Sequence, residues 1–396
     1  MWLYLLIFFI PVLLYFGTLK SGNGRSVLQL AVFLSGLAMF VGLGDMLGGY
    51  DRYIYGDVFD SIANVTNVGQ SYWVNDSFEY FPSEEGWTVL NILLSFFTDN
   101  RYIFILAITL LTYTLLFISL RRYASNYPFA LVLFLGLWFY FSFTYLRQVL
   151  GTTLVWLAIP YIVKRNPWKF CAIVLLAWTI HKSAIIFLPV YFIAHRSFTR
   201  RQILVFMALA LVAGVSPLPN ALFNAYGDMS EVELQNDNSA SGGLCVAYFL
   251  EAAFFLWLMM RDGAKDDSDI TRRVLFNIAC LFCATLLFFI RSENGGRLSW
   301  YYMIGVICTL TDIAVSRTAV RGIAQLLIVV CLVLYVRVYS SWNSYKMLYP
   351  YKTFLTNGYR NDDPIRDSYE YDHNYDYNKF YREPFRLKEN FQNIWE

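Results

Sequence analysis

A dozen apolar runs, set end to end between short polar turns, decide what this chain can fold into. They lie near 1–17, 26–46, 102–120, 128–146, 149–163, 168–181, 183–195, 202–216, 244–260, 274–290, 298–316 and 322–340. In lipid, backbone N–H and C=O groups have no water to bond, so such runs must satisfy themselves as helices. Several fall short of the ~20 residues of a straight span, which predicts tilted, broken or re-entrant helices. Composition agrees: of 396 residues, 57% are hydrophobic and 15% charged. Soluble domains carry about 25% charged residues. The mean hydropathy is +0.44. The sequence predicts an all-α polytopic integral membrane protein with about twelve transmembrane helices. The first run has no basic residue ahead of it and no small-x-small cleavage site, so it reads as a span and not as a signal peptide.

Charge sets the expected orientation. Lys20, Arg25, Arg121, Arg122, Lys164, Arg165, Lys169, Arg196, Arg200, Arg201, Arg261, Lys265, Arg272, Arg273, Arg317 and Arg321 all fall in alternate turns. The opposite turns hold only Arg52, Arg101, Arg147, Lys182, Arg291 and Arg297 before the tail. The positive-inside rule then places both termini outside the cytoplasm. Residues 1–340 form the expected transmembrane domain, with two external loops, 46–101 and 217–243. Glu85 to Phe97 in the first loop reads as a short interfacial or re-entrant helix, too short to span. The second loop reads as a linker. From Ser341 the chain turns rich in Tyr, Asp and Asn, and 341–396 is expected to be an external appendage. A net charge of +2 gives no reason to invoke nucleic acid. The six cysteines sit in or beside apolar runs, which is neither a disulfide framework nor a thiolate metal site.

Function is expected where polar groups gather on the outer side. Tyr145-Leu-Arg-Gln-Val-Leu-Gly151 puts Arg147 and Gln148 where a helix meets the bilayer surface. A guanidinium there is costly unless it faces water, a partner or a ligand. A snorkelling arginine is the ordinary alternative. On the same expected side lie Tyr50, Asp51 and Arg52, then His181-Lys182-Ser183, then the run from Arg291 to Arg297. Arginine grips phosphate oxygens with a planar fork and lysine adds a point charge, so these ends together would suit a diphosphate. Asp51, Glu85 and Glu293 are nearby carboxylates able to take a proton from a hydroxyl. Arg297 has a simpler alternative, an ion pair with Glu293 one helical turn earlier. Gly295-Gly296 reads as a turn, because no phosphate-binding loop surrounds it.

These residues resemble the EpsG-like branch of the Wzy-type polysaccharide polymerases. The likeness rests on Gly49-Tyr-Asp-Arg-Tyr-Ile-Tyr55, Glu85-Gly-Trp87, Phe141-Ser-Phe-Thr-Tyr-Leu-Arg-Gln148, Lys164-Arg-Asn-Pro-Trp-Lys-Phe170, Ala177-Trp-Thr-Ile-His-Lys-Ser-Ala184, and Arg297 with Trp300-Tyr301. It runs through about residues 1–355, and its most specific part is the Leu-Arg-Gln and His-x-Ser-Ala pair. The resemblance implies a GT-C-like membrane glycosyltransferase in the bacterial cytoplasmic membrane. Its substrate would be an undecaprenyl-diphosphate-linked oligosaccharide, joined to the next repeat unit on the outer face, with no cofactor or metal. Membrane lipid, a chain-length regulator and other polysaccharide-assembly proteins would be its partners. Arg147, Lys182 and Arg297 are the expected diphosphate ligands, with Gln148, Arg291, Tyr50, Arg52 and Tyr301 beside them. Asp51 or Glu85 would be the base, with His181 a third candidate or a donor to the diphosphate. An O-antigen ligase-like transferase would use the same chemistry. A flippase would instead line its midplane with charge, where Glu251 is the exception to an apolar interior. An acyltransferase would need a site reachable from inside.

Overall fold

The computed structural model describes residues 1–45, 50–219, 221–222, 245–262, 269–292, 295–316, 322–344, 348–349, 351–358 and 377–385. Among these residues the chain is all-helical, apart from one isolated bridge between Gly44 and Thr353. The helices are α1 (Trp2–Ser21), α2 (Val27–Gly42), α3 (Tyr50–Val68), α4 (Glu85–Ser95), α5 (Arg101–Tyr123), α6 (Tyr127–Leu137), α7 (Leu146–Trp156), α8 (Ile159–Val163), α9 (Pro167–Ile180), α10 (Val190–Ile193), α11 (Arg200–Val215), α12 (Val246–Asp262), α13 (Ile270–Phe288), α14 (Met303–Val315) and α15 (Ile323–Ser344). Among the described residues six stretches are long and apolar enough to cross a membrane: Trp2–Leu19, Arg101–Tyr123, Leu146–Val163, Ile270–Phe288, Gly295–Val315 and Ile323–Asn343. Shorter apolar helices accompany them at Val27–Gly42, Tyr127–Leu137, Pro167–Ile180 and Lys182–Ile193. The molecule is built as a polytopic membrane protein.

Helix starts follow local chemistry. Ser26, Asn100, Asn126, Asn166, Thr199 and Asp269 each accept a backbone N–H of the first turn they precede. At Thr199 the cap is reciprocal, since Gln202 bonds back to it. Pro128 and Pro167 sit in first turns, where no N–H is needed. One glycine lets two apolar helices touch: a Cβ on Gly305 of α14 would lie 2.7 Å from the Leu275 carbonyl oxygen of α13.

Three of the expected spans contain 3-10 segments. The run 128–146 ends as α6 at Leu137 and continues as a 3-10 turn over Phe139–Phe143. The run 183–195 is a 3-10 turn, Lys182–Phe187, followed by the four residues of α10, with Pro189 at the joint. The run 298–316 opens as a 3-10 segment, Gly295–Tyr302, before α14. All three irregular segments pack against α7. Non-helical backbone at membrane depth is tolerated where protein covers it.

The stretch 50–101 is more ordered than its sequence suggests. It contains α3, nineteen residues long and too polar to stand out as an apolar run. Arg101, in the first turn of α5, bonds Asp57 at 2.8 Å and Asp60 at 2.5 Å, and Phe59 stacks on Phe104 at 4.3 Å. The helix expected near 85–97 is present as α4, but it does not lie alone at an interface. It buries Trp87, Thr88, Asn91, Ile92 and Ser95 and packs on α3 and α9. An apolar stripe of Val89, Leu93 and Phe97 is left exposed, as an interfacial helix would have. Most of the second loop lies outside the described residues.

Part of the described tail packs on the helices. Tyr351 stacks on Phe40 at 4.3 Å and its hydroxyl donates to the Phe40 carbonyl. Lys352 reaches Asp45 at 3.5 Å, and Phe354 stacks on Tyr102. Further on, Asn100 donates to the carbonyls of Lys379 and Arg382.

Candidate functional site

The site is assembled where the first turn of α7, the entry to α4 and the end of α9 meet. Arg147 occupies the first turn of α7. Its guanidinium lies 3.8 Å from the Phe81 ring centroid and 5.4 Å from that of Tyr55. Its Nη1 donates to Oε2 of Glu84. Glu84 is 3% exposed, and its other oxygen, Oε1, accepts the backbone N–H of Lys182 at 3.0 Å. One buried carboxylate thus joins three elements.

Close backbone contact makes this meeting geometrically feasible. Gly86 lies against Thr179 of α9: a Cβ there would sit 2.8 Å from Thr179 Cβ and 3.1 Å from its backbone carbon. Without a side chain at 86, the start of α4 can press onto the end of α9 and bring Glu84 to the His181-Lys182 turn.

Around His181 the hydrogen bonds continue inward. Its Nδ1 is 2.7 Å from Ser183 Oγ and accepts the Ser183 backbone N–H at 3.3 Å. Ser183 Oγ is 2.9 Å from the Tyr301 hydroxyl. Tyr301 is wholly buried, and its carbonyl accepts the indole N–H of Trp156 on α7 at 2.9 Å. Tyr302 donates to the Ile186 carbonyl, which clips the 295–302 segment to the 182–187 turn. Gln148 donates to the Arg297 carbonyl at 3.1 Å, and the Arg297 guanidinium lies 5.2 Å from the Tyr145 ring centroid. Burial and the nearby charges of Arg147, Arg297 and Lys182 push the His181 imidazole well below its usual pKa. Burial likewise pushes the Tyr55 phenol up, against the lowering pull of Arg147.

The structure therefore gathers Arg147, Gln148, His181, Lys182, Arg297 and Tyr301. Asp51 is half-buried one turn before Tyr55 on α3 and acts on it electrostatically. Glu85 is exposed at the start of α4, and its neighbour Glu84 is the carboxylate turned into the cluster. Arg52 is fully buried and donates to the carbonyls of Val41 and Gly44, so it closes the end of α2. Arg291 is exposed and donates to the Val215 carbonyl at the end of α11. The Tyr50 side chain and Glu293 lie outside the described residues. Glu84 and Phe81 are site members that the sequence did not single out, while Ser183 and Tyr55 entered only as parts of the His181-Lys182-Ser183 turn and the Gly49–Tyr55 run. Glu84 precedes α4 with non-helical backbone (φ −127°, ψ 47°) and Glu85 is its first helical residue, so the two carboxylates leave the chain in different directions. The glycine at 86 was the available hint to which one faces inward.

Chemically, the cluster presents an Arg147–Glu84 ion pair beside an imidazole on which the charges of Arg147, Arg297 and Lys182 all act. Among the described residues no group of three or more His, Cys, Asp and Glu is placed to hold a metal ion. No curated protein and no solved structure matches the chain. The EpsG family model does match, over residues 29–353, a stretch that includes every member of the cluster, and the chain belongs to the EpsG family.

Proposed function

We propose that this protein is a membrane glycosyltransferase that polymerises lipid-diphosphate-linked oligosaccharide repeat units on the outer face of the cytoplasmic membrane. The observation that carries this reading is the buried grip of Arg147 and the Lys182 N–H on the Glu84 carboxylate. A carboxylate held by one guanidinium N–H and a backbone amide occupies a place suited to a phosphate oxygen. Family membership supports a polysaccharide polymerase-like role.

In this mechanism the diphosphate of the donor takes the place of Glu84 on Arg147, with Lys182 and Arg297 beside it. The acceptor sugar hydroxyl oxygen attacks the anomeric carbon and a new C–O bond forms. The bond between that carbon and the diphosphate oxygen breaks, and its electron pair leaves with the diphosphate. Cations fixed in advance stabilise that developing charge. The hydroxyl proton passes to the released Glu84 carboxylate, which serves as base in preference to Asp51 or the exposed Glu85. Undecaprenyl diphosphate is the proposed lipid, and a chain-length regulator the proposed protein partner. Both termini face outward, so that the basic turns lie in the cytoplasm.

The test uses purified protein in nanodiscs with a lipid-diphosphate-linked repeat unit, products being resolved by chain length. Wild type is expected to give a ladder, and Arg147→Ala to lose about 10²–10³-fold in rate at normal membrane level. Arg147→Lys is expected to recover little, because the fork and the stack on Phe81 are both lost. A fully active Arg147→Ala protein would sink the mechanism. No ladder from wild type, with competent substrate, would favour lipid-linked sugar translocation or transfer to a different acceptor.

A further inference from the structure

We propose that Ser183 and Tyr301 are positioning residues that hold His181 in one tautomer, so that its Nε2–H is a hydrogen-bond donor to an oxygen of the leaving group. The donor role rests on the glycosyl-transfer reading above. The tautomer rests on geometry alone.

The Ser183 backbone N–H has only a proton to offer, and it points at His181 Nδ1 at 3.3 Å. Nδ1 must therefore present its lone pair. A neutral ring carries one proton, which then sits on Nε2. Ser183 Oγ, 2.7 Å from the same nitrogen, can meet a lone pair only by donating its hydroxyl proton. The Oγ lone pairs are then free to accept from the Tyr301 hydroxyl at 2.9 Å. The result is a one-way chain, from Tyr301 to Ser183 to His181. Its far end is anchored, because Tyr301 is buried and its carbonyl holds the Trp156 indole.

The charged groups facing the ring favour the same state. Arg147, Arg297 and Lys182 oppose an imidazolium, as does burial. Glu84 Oε1 stands 3.9 Å from Nδ1, beyond hydrogen-bond reach, and is engaged by the Lys182 N–H. It does not claim a proton on Nδ1. A ring protonated on Nε2 and blocked on Nδ1 has no free lone pair with which to act as a base. It is suited to polarise or stabilise a developing oxyanion as a neutral donor.

The full chain is tested in nanodiscs with His195→Asn and His373→Asn, which leaves His181 as the single imidazole of the three. Solid-state NMR of ¹⁵N-histidine is expected to show a protonated Nε2 and a lone pair on Nδ1 from about pH 6 to 8. Ser183→Ala and Tyr301→Phe are expected to mix the tautomers and slow chain growth about tenfold, the size of one hydrogen bond. Ser183→Thr restores both readouts. His181→Gln, whose amide N–H reaches the Nε2 position, keeps more activity than His181→Asn, which reaches only the Nδ1 position. A proton on Nδ1 in the wild type overturns the proposal, as does a tautomer indifferent to both Ser183→Ala and Tyr301→Phe. A ring protonated on Nε2 in a protein that forms no ladder overturns the polymerase reading and leaves the tautomer assignment standing.

Discussion

Glu84 is held by a guanidinium and a backbone amide and is nearly sealed from solvent, so replacing it separates its charge from its shape. Glu84→Gln keeps the volume and one acceptor oxygen but cannot take a proton. If Glu84 is the base, chain growth falls about 10²–10⁴-fold while membrane level is kept. Normal growth by Glu84→Gln would return the base to Asp51. His181 gives a prediction in pH. Its folded pKa lies below the ordinary 6.5, so the folded protein binds fewer protons there than the unfolded chain. Stability is full above the unfolded value and falls as pH drops below it toward the depressed folded value. Thermal unfolding of the wild type should therefore move to lower temperature below about pH 6.5, and His181→Gln should remove that part of the slope. Arg147, Lys182, Arg297 and His181 were legible in the sequence because each is a polar group at the edge of an apolar run. Glu84 was not, because the sequence does not say which of two adjacent glutamates is the last non-helical residue before α4, and that is fixed by how the entry to α4 packs on α9. Arg52 and Arg291 carry the right charge on the expected side. What turns them away are the open carbonyls of α2 and α11, which no residue pattern displays.

The approach of α4 to α9 is the contact between elements on which the site depends. Gly86→Val places two methyl groups against Thr179 Cβ and the α9 backbone. Overpacking of this kind costs typically about 1–3 kcal/mol. Its sharper effect would be to draw Glu84 away from the Lys182 N–H, so activity should fall further than thermal stability. Gly86→Ala should lie between valine and wild type. Equal losses from alanine and valine, or a loss of stability alone, would show that the approach does not set the Glu84 geometry. Apolar runs revealed most of the helices. Hydropathy could not reveal α3, because Asp57 and Asp60 hold Arg101 within the fold and lower the segment's apolar signal. Nor could it reveal the three 3-10 segments around α7. They lie within or at the start of apolar runs, and the broken geometry comes from how they pack.

At the scale of the whole molecule, the unexpected feature is that residues 351–354 and 379–382 of the polar tail contact the body. Its Tyr and Asp content resembles that of a disordered segment, yet the pairing is local and particular: Tyr351 on Phe40, Lys352 with Asp45, Phe354 on Tyr102, and the 379–382 carbonyls on Asn100. Composition averages over such contacts, so a tail of this kind reads as an appendage until its partners are in view. The contacts brace the end of α2 and the starts of α3 and α5, on the side where Tyr55 meets Arg147. From the sequence, a chain ending after Pro350 would be expected to keep partial activity. The packing predicts a stronger effect, because the truncation removes the stack on Phe40, the ion pair to Asp45 and a buried phenylalanine together. Phe354→Ala alone should cost about 3–5 kcal/mol. The truncated chain should accumulate to a lower level in the membrane and unfold at a lower temperature, with activity per folded molecule reduced as α3 loosens. A truncated protein with wild-type stability and a wild-type ladder would mean that these contacts do not brace the site. Normal stability without a ladder would bring the tail into the chemistry itself.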